Sequence, residues 1–351
     1  MDHNIILLFG GDSDERLVSV ASAQAMAQAI GCGKLWFWHK DGPIFDIDYN
    51  DLIAHEEPFT SEFIPKTNRQ IFANISQAIS SKLSDNHVFL LGVHGGSGEN
   101  GELQQTLEEA KRPFSGSNAK ASRIAFNKVA TKECLLGYQI KMAPHVVLET
   151  TSQQRLQKTI TEFCQSHGDC IIKPVCGGSS LGCFFVRGLL EINAIAAQLA
   201  ELKPQPFLLE RVINGREITV GVFEDDNGPR GLPCTEIVVD SNREFDYQGK
   251  YLGMGTKEIT PARISENLAR EAQRLAVTAH AALALDGYSR ADLILADDGF
   301  YFLETNTLPG LTKTSLVPQQ LAADGISMRE FLEGQIKIAL DKVVTAERSN
   351  Q

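Results

Sequence analysis

Apolar and polar positions along the chain change period several times, and each change marks an element. Ile5 to Phe9 is a continuous apolar run closed by Gly10-Gly11-Asp12-Ser13, after which Val18, Ala21, Ala25 and Ala29 recur at helical spacing. A strand buried on both faces, a glycine turn and a helix form the first unit of a parallel α/β sheet. The pattern returns at Val88 to Val93, followed by the glycine-rich His94 to Gly101 and a helix with Leu103, Leu107 and Ala110 on one face. Residues 1–117 are therefore expected to form a parallel α/β domain whose ligand-facing loops follow the carboxyl ends of its strands.

Beyond it the pattern predicts a helix over 122–136, short strands at 170–174 and 183–187, a helix over 189–202 and a strand at 207–211. That makes residues 118–212 a small central α+β lobe. The remainder, 213–351, reads as a C-terminal α+β domain, with strands at 217–223 and 234–240, a glycine- and lysine-bearing loop at 247–257, a long helix over 265–285 and paired strands at 290–296 and 300–306.

The last two strands carry the sharpest chemistry. Closing them with the three-residue loop Asp297-Asp298-Gly299 sets Ala296 opposite Phe300, Asp292 opposite Glu304 and Arg290 opposite Asn306. Alternation then turns all four site side chains to one face. Two carboxylates and an amide oxygen suit Mg²⁺, which takes a few protein oxygens and fills its other positions with nucleotide phosphate and water. A solvated charged hairpin face is the competing reading, and a two-residue turn would split the carboxylates between faces.

A second candidate is Lys173, which ends a buried strand before the Gly/Ser-rich Cys176 to Gly182 and so offers an ammonium and backbone N–H groups to phosphate. An ordinary hairpin loop reads the same way, and the order of residues is not that of a Walker A loop. The link Leu208 to Glu217 between two lobes is a natural place for an adenine.

Composition changes this picture in one respect. The 351 residues carry a net charge of −11, which argues against a general nucleic-acid or anionic-membrane binder. Yet residues 1–117 hold 8 basic and 16 acidic side chains, 118–212 hold 11 and 7, and the rest hold 14 and 21. A basic middle in an acidic chain calls for an anionic ligand. Seven cysteines without a CxxC pair indicate neither a disulfide framework nor a zinc site. Met1-Asp2-His3-Asn4 has no basic n-region, and the apolar run after it is too short for a signal or a membrane span, so the expectation is a cytoplasmic protein.

With these motifs in view, the chain resembles the ATP-grasp enzymes and, within them, the D-alanine–D-alanine ligases. The resemblance runs in family order from Phe9-Gly10-Gly11-Asp12-Ser13-Asp14-Glu15 through Val93-His94-Gly95-Gly96-Ser97-Gly98-Glu99-Asn100-Gly101, the Lys173 to Gly182 loop, Asp246-Tyr247-Gln248-Gly249-Lys250-Tyr251 and Leu303-Glu304-Thr305-Asn306-Thr307-Leu308-Pro309-Gly310. It implies an ATP-grasp fold and a reaction in which ATP phosphorylates one D-alanine and the amine of a second attacks the acyl phosphate.

Residue by residue, it implies that Lys128 and Lys173 meet the nucleotide phosphates. Glu210, Arg211 and Ile213 form the adenine hinge, with Glu217 on the ribose. Asp292, Glu304 and Asn306 hold Mg²⁺, as two ions, with Mn²⁺ able to substitute. Arg290 and the N–H of Gly310 face the developing oxyanion, and Glu15 takes the first D-alanine's ammonium with His94 nearby. Ser179 and Tyr251 link two loops over the site, while Lys250 and Ser315 receive the second D-alanine's carboxylate. The resemblance also implies a homodimer working in peptidoglycan precursor synthesis.

Tyr251 stands where ester-forming relatives tend to carry phenylalanine, which implies a dipeptide product. Leu17, Cys176-Gly177 and Gln248-Gly249 depart from the family pattern. Gly249 adds backbone freedom, and the 247–257 loop is expected to move. A ligase of other amino or hydroxy acids, or a nucleotide-binding relative without turnover, would share most of these residues.

Overall fold

A computed structural model describes residues 4–31, 33–67, 69–83, 87–149, 151–178, 182–239 and 256–349. In the first domain β1 (Asn4–Gly10) pairs in parallel with β2 (Lys34–Trp38), which β3 (Ile44–Asp46) and β4 (Gln70–Phe72) extend in antiparallel fashion. On the other side of β1 runs β5 (His87–Leu91), again parallel, giving the order β4-β3-β2-β1-β5. Ile6 to Phe9 and Val88 to Leu91 are all buried, which is why both runs are apolar without alternation. The small antiparallel extension was not foreseen.

Helix α1 (Arg16–Ile30) lays Val20, Ala23, Met26 and Ala27 on this sheet. Its Ser19 accepts from Gly10 N–H at 2.7 Å and donates to the Gly92 carbonyl at 2.6 Å, so one hydroxyl ties together the chain after β1 and the chain after β5. Gly10 has φ +93, and a Cβ there would lie 2.3 Å from the Trp38 carbonyl, so only glycine fits. Four short helices follow in this part: α2 (Tyr49–Ile53), α3 (Ile75–Ile79), α4 (Gly96–Glu99) and α5 (Glu102–Glu109).

The single helix predicted over 122–136 is two, α6 (Ala119–Phe126) and α7 (Lys128–Leu135). Asn127 is extended between them, and its side chain caps α7 by accepting from the N–H groups of Val129 and Ala130. The central sheet contains β6 (His145–Leu148), β7 (Cys170–Pro174), β8 (Phe184–Val186) and β9 (Phe207–Arg211) in the order β6-β9-β7-β8, all antiparallel. Helices α8 (Gln153–His167) and α9 (Ile192–Glu201) pack on it through Leu156, Ile160, Ile195 and Leu199.

The third sheet is built on the long β10 (Arg216–Asp225), with β11 (Gly228–Gly231), β12 (Thr235–Val239) and β13 (Thr256–Ile259) to one side. Helix α10 (Glu266–Ala282), capped by Ser265, lies against it, and β14 (Tyr288–Ala296) and β15 (Gly299–Asn306) complete it on the other side. Helices α11 (Leu316–Ala323) and α12 (Met328–Ser349) follow.

Two packing relations organise the whole. Ala121, Ala125, Leu135 and Ile140 share a core with Ile218, Val220, Leu293 and Phe302, and Phe302 N–H donates to the Lys141 carbonyl at 2.8 Å. On this ground we propose that residues 119–142 belong with the C-terminal sheet and that the small central lobe starts near residue 143. Val317, Leu321, Phe331 and Leu332 join the core of the first sheet, so the two ends of the chain form one continuous interior. No helix among the described residues is long and apolar enough to cross a membrane.

One ionic clamp in this frame has a defined pH window. Glu236 on β12 is 4% exposed and accepts from Arg216 Nε and Arg263 Nε at 2.9 Å each, contacts that hold its carboxyl down at about 2. The group's ordinary value is 4.5, so its stabilisation is present above that pH and lost as pH falls towards 2. A Glu236→Gln variant is expected to be less stable than wild type by roughly 1–2 kcal/mol at neutral pH, discounted because both arginines are largely solvated. Denaturant titrations should show that gap closing between about pH 4.5 and 2; a gap independent of pH would exclude the clamp as its source.

Candidate active site

The hairpin reaches the expected face by an unexpected route. The turn is Asp297-Asp298 alone, with Gly299 at φ +113 opposite Ala296, where a three-residue loop had been expected to set Phe300. Carried along β15 unchanged, that register would pair Asp292 with Leu303 and turn Glu304 away. A β-bulge between Asp292 and Leu293 absorbs Leu303 as the extra residue, and Asp292 then pairs with Glu304 and Arg290 with Asn306.

Around Asp292, 5% exposed, three side chains converge. Arg290 donates through Nε to Oδ1 at 2.9 Å and through Nη2 to Oδ2 at 2.8 Å. Thr219, its neighbour on β10, donates to Oδ1 at 2.7 Å, and Asn306 Nδ2 donates to Oδ2 at 3.2 Å. Glu304 lies 3.5 Å from Lys128 Nζ. Each carboxylate therefore already faces a protein cation. No group of three or more His, Cys, Asp or Glu fit to hold a metal occurs among the described residues. Two carboxylates and one amide, with few protein ligands in all, fit Mg²⁺ that completes its shell with phosphate and water.

Lys128 begins α7 and donates to the Gly177 carbonyl at 2.6 Å, at the edge of the glycine loop. Lys173 ends β7, 2.7 Å from Glu210 on β9. Burial works against its charge, but the carboxylates of Glu210 and Glu304 outweigh it and raise the ammonium above its ordinary value. Glu210 shows the converse: burial alone would raise its carboxyl, yet Lys173 and Lys132 keep it lowered. Lys132 was not anticipated, because nothing in its sequence surroundings separates it from a surface lysine. Arg211 N–H donates to the Pro144 carbonyl at 3.0 Å, which leaves only its carbonyl for an adenine contact. Ile213 lies in the link to β10, and Glu217 is half-buried on β10 between Ile237 and Ile294.

A cleft of about 360 Å³ opens between the lobes, and its wall unites Glu15, His94, Lys128, Arg290, Gly310 and Ser315 with the three hairpin residues Asp292, Glu304 and Asn306. Lys173, Glu210, Arg211, Ile213 and Glu217 are not part of that wall. Gly95, at φ +65, brings the loop after β5 so close to Glu15 that a Cβ would lie 2.4 Å from Oε2. His94 is buried, with Nδ1 2.8 Å from the Leu308 carbonyl and Nε2 2.8 Å from Ser22 Oγ. A carbonyl only accepts, so Nδ1 carries the proton and the ring is neutral, in keeping with a value that burial lowers. Both nitrogens are thus engaged by protein, and the ring's direct work is to tie β5's loop to the Leu308–Leu311 segment. Gly310 packs against Ser315, whose Oγ a Cβ would meet at 2.8 Å.

Two carboxyl groups of the cleft escaped sequence reasoning. Glu99 is 13% exposed, and burial, with Glu15 adding to it, pushes its carboxyl up to about 8. Glu258 on β13 accepts from Gln319 Nε2 at 2.5 Å and is also raised by burial. Glu99 stands inside the glycine motif and its spacing could have flagged it; Glu258 had no such signal. Ser179, Lys250, Tyr251 and the 247–255 part of the loop expected to move lie outside the described residues.

A family model described as D-ala D-ala ligase N-terminus matches residues 4–117, and one described as D-ala D-ala ligase C-terminus matches residues 135–337. A D-alanine–D-alanine ligase of Leptospira interrogans serovar Lai is 33% identical over 358 residues, covering 96% of this chain and 98% of its own. One from Syntrophobacter fumaroxidans is 36% identical over 255 residues, with 72% and 80% covered. Among solved structures, the VanG D-Ala:D-Ser ligase of Enterococcus faecalis superposes with a TM-score of 0.79 at 25% identity over 97% of this chain and 100% of that one. The D-alanine–D-alanine ligase of Coxiella burnetii shares the fold, with a TM-score of 0.76 at 23% identity over 98% and 95%. From the match of both family models over most of its length, the chain belongs to the D-alanine–D-alanine ligase family.

Proposed function

We propose that this protein joins two D-alanines to D-alanyl-D-alanine with conversion of ATP to ADP and phosphate, for peptidoglycan precursor synthesis in the cytoplasm, as a homodimer. The observation that carries the reading is the convergence of Arg290, Asp292, Glu304 and Asn306 with Glu15 in one cleft. The carboxylate of the first D-alanine takes the terminal phosphoryl group of ATP, and the amine of the second then displaces phosphate from the acyl carbon.

Glu15 holds the ammonium of the first D-alanine, beside the backbone of Gly95. Lys128 and Lys173 meet the phosphates from two sides, while Glu210, the backbone of Arg211 and Ile213, and Glu217 take the adenosine. Mg²⁺ held by Asp292, Glu304 and Asn306, as two ions with Mn²⁺ able to replace them, would offset phosphate charge during in-line transfer. Arg290 and Gly310 N–H steady the oxyanion at the acyl carbon. Ser315, with Lys250, receives the second D-alanine's carboxylate, and Ser179 with Tyr251 links the loops above it.

Phosphate release with D-alanine as the sole amino acid tests this directly. Turnover that saturates with D-alanine and yields the dipeptide is expected. The likeness to a D-Ala:D-Ser ligase makes D-serine, together with D-lactate, the acceptors to compare. Activity with either of these and none with D-alanine would overturn the reading.

A further inference from the structure

A buried ionic cluster beneath the nucleotide strands contains one member with no task so far. Lys132 Nζ lies 2.5 Å from Glu210 Oε1, and Lys173 Nζ lies 2.7 Å from Glu210 Oε2. The side chains of Lys132 and Glu210 are each 2% exposed and that of Lys173 12%. One carboxylate thus takes one ammonium on each oxygen, and the three groups together carry a charge of +1.

The cluster also crosses a boundary. Glu210 and Lys173 stand on β9 and β7 of the central sheet, whereas α7, which carries Lys132, packs its Leu135 in the core beneath β10 and β14. Lys128 lies one turn earlier on the same face of α7 and reaches Gly177 and Glu304. Lys132 is set apart from Lys173 by its depth: its side chain is 2% exposed, against 12%, and Glu210 Oε1 takes up its ammonium. If volume were all that mattered, methionine would fill the place without the several kcal/mol that burying an ammonium costs.

What the charge does follows from counting. Lys173 and Glu210 alone would close into a neutral pair and hold Lys173 away from phosphate. With Lys132 on the other oxygen, the carboxylate is already compensated and the charge of Lys173 is in surplus. We propose that Lys132 is a positioning residue for the nucleotide: it neutralises Glu210 across the lobe boundary and so frees the charge of Lys173 for the polyphosphate. This rests on the ligase reading only in giving Lys173 to the nucleotide.

Calorimetric titration with ADP in the presence of Mg²⁺, alongside steady-state kinetics, tests it. Lys132→Met is expected to weaken ADP binding and raise KM for ATP by about 10- to 30-fold, with kcat within about threefold. Lys132→Arg keeps the charge and should stay close to wild type. In a Glu210→Gln background there is no carboxylate to neutralise, and adding Lys132→Met should change ADP affinity less than about threefold. Wild-type ADP affinity in folded Lys132→Met, a fall in kcat at unchanged KM, or an equal loss in both backgrounds would each overturn the proposal. Should Lys132→Met alone fail to fold, the two Glu210→Gln proteins still decide, since a tenfold difference between them overturns it and near-equality supports it. A wild-type protein that binds no ADP would overturn the nucleotide reading itself; wild-type binding with no loss in Lys132→Met overturns this proposal alone.

Discussion

An Arg290→Ala variant is expected to lose about 1,000-fold in D-alanine-dependent phosphate release, the scale seen when a preorganised oxyanion donor is removed. Two effects act together. The guanidinium that would face the developing charge is gone, and Asp292 loses both bonds of a bidentate clamp while staying buried and keeping its bonds from Thr219 and Asn306. The second effect separates from the first in Arg290→Lys, which keeps a cation but not the planar fork. That variant should recover thermal stability more fully than turnover. If Arg290→Ala retained a tenth of wild-type turnover, the oxyanion role would be untenable.

The next largest effect is expected from the smallest change. Gly95→Ala puts a methyl where Glu15 Oε2 now lies, 2.4 Å from the new carbon, at a φ of +65 that alanine adopts with strain. The overlapping atom ends a flexible side chain, so the fold should survive with a small fall in melting temperature. The carboxylate will not keep its place, and a displacement of about 1 Å at a reacting centre costs on the order of 100-fold. KM for the first D-alanine should rise most, with KM for ATP nearly unchanged. A variant with wild-type KM for D-alanine would separate Glu15 from the donor site.

Much of this site was legible because its residues sit in patterns with few alternatives. Apolar runs ending in glycines located the loops after β1 and β5, and alternation located the four hairpin side chains. The register was less secure. The expected three-residue turn is a two-residue one, and Asp292 meets Glu304 only because Leu303 bulges out of the ladder. Bulges leave no mark in a hydrophobic pattern, since one extra residue reads like any other. Lys132, Glu258 and Thr219 were unreadable for a related reason: their meaning lies in partners 60 or more positions away. For His94, expected near the first D-alanine, the pattern did not show that its ring nitrogens hold the Leu308 carbonyl and Ser22 at the cleft wall it shares with Glu15. The break between α6 and α7 could have been seen, because Asn127 before Lys128 is a good cap.

The bond from Arg211 N–H to the Pro144 carbonyl has a consequence for how such a chain is assembled. The central sheet begins at His145 and ends at Arg211, so its entrance and exit touch. Its apolar interior is its own, and the residues before and after it share another. The lobe is therefore a graft on the C-terminal sheet, closed at its base like the neck of a purse. A short linker from residue 143 to 213 could replace it without stretching the host, so this module can be gained, lost or exchanged as a cassette.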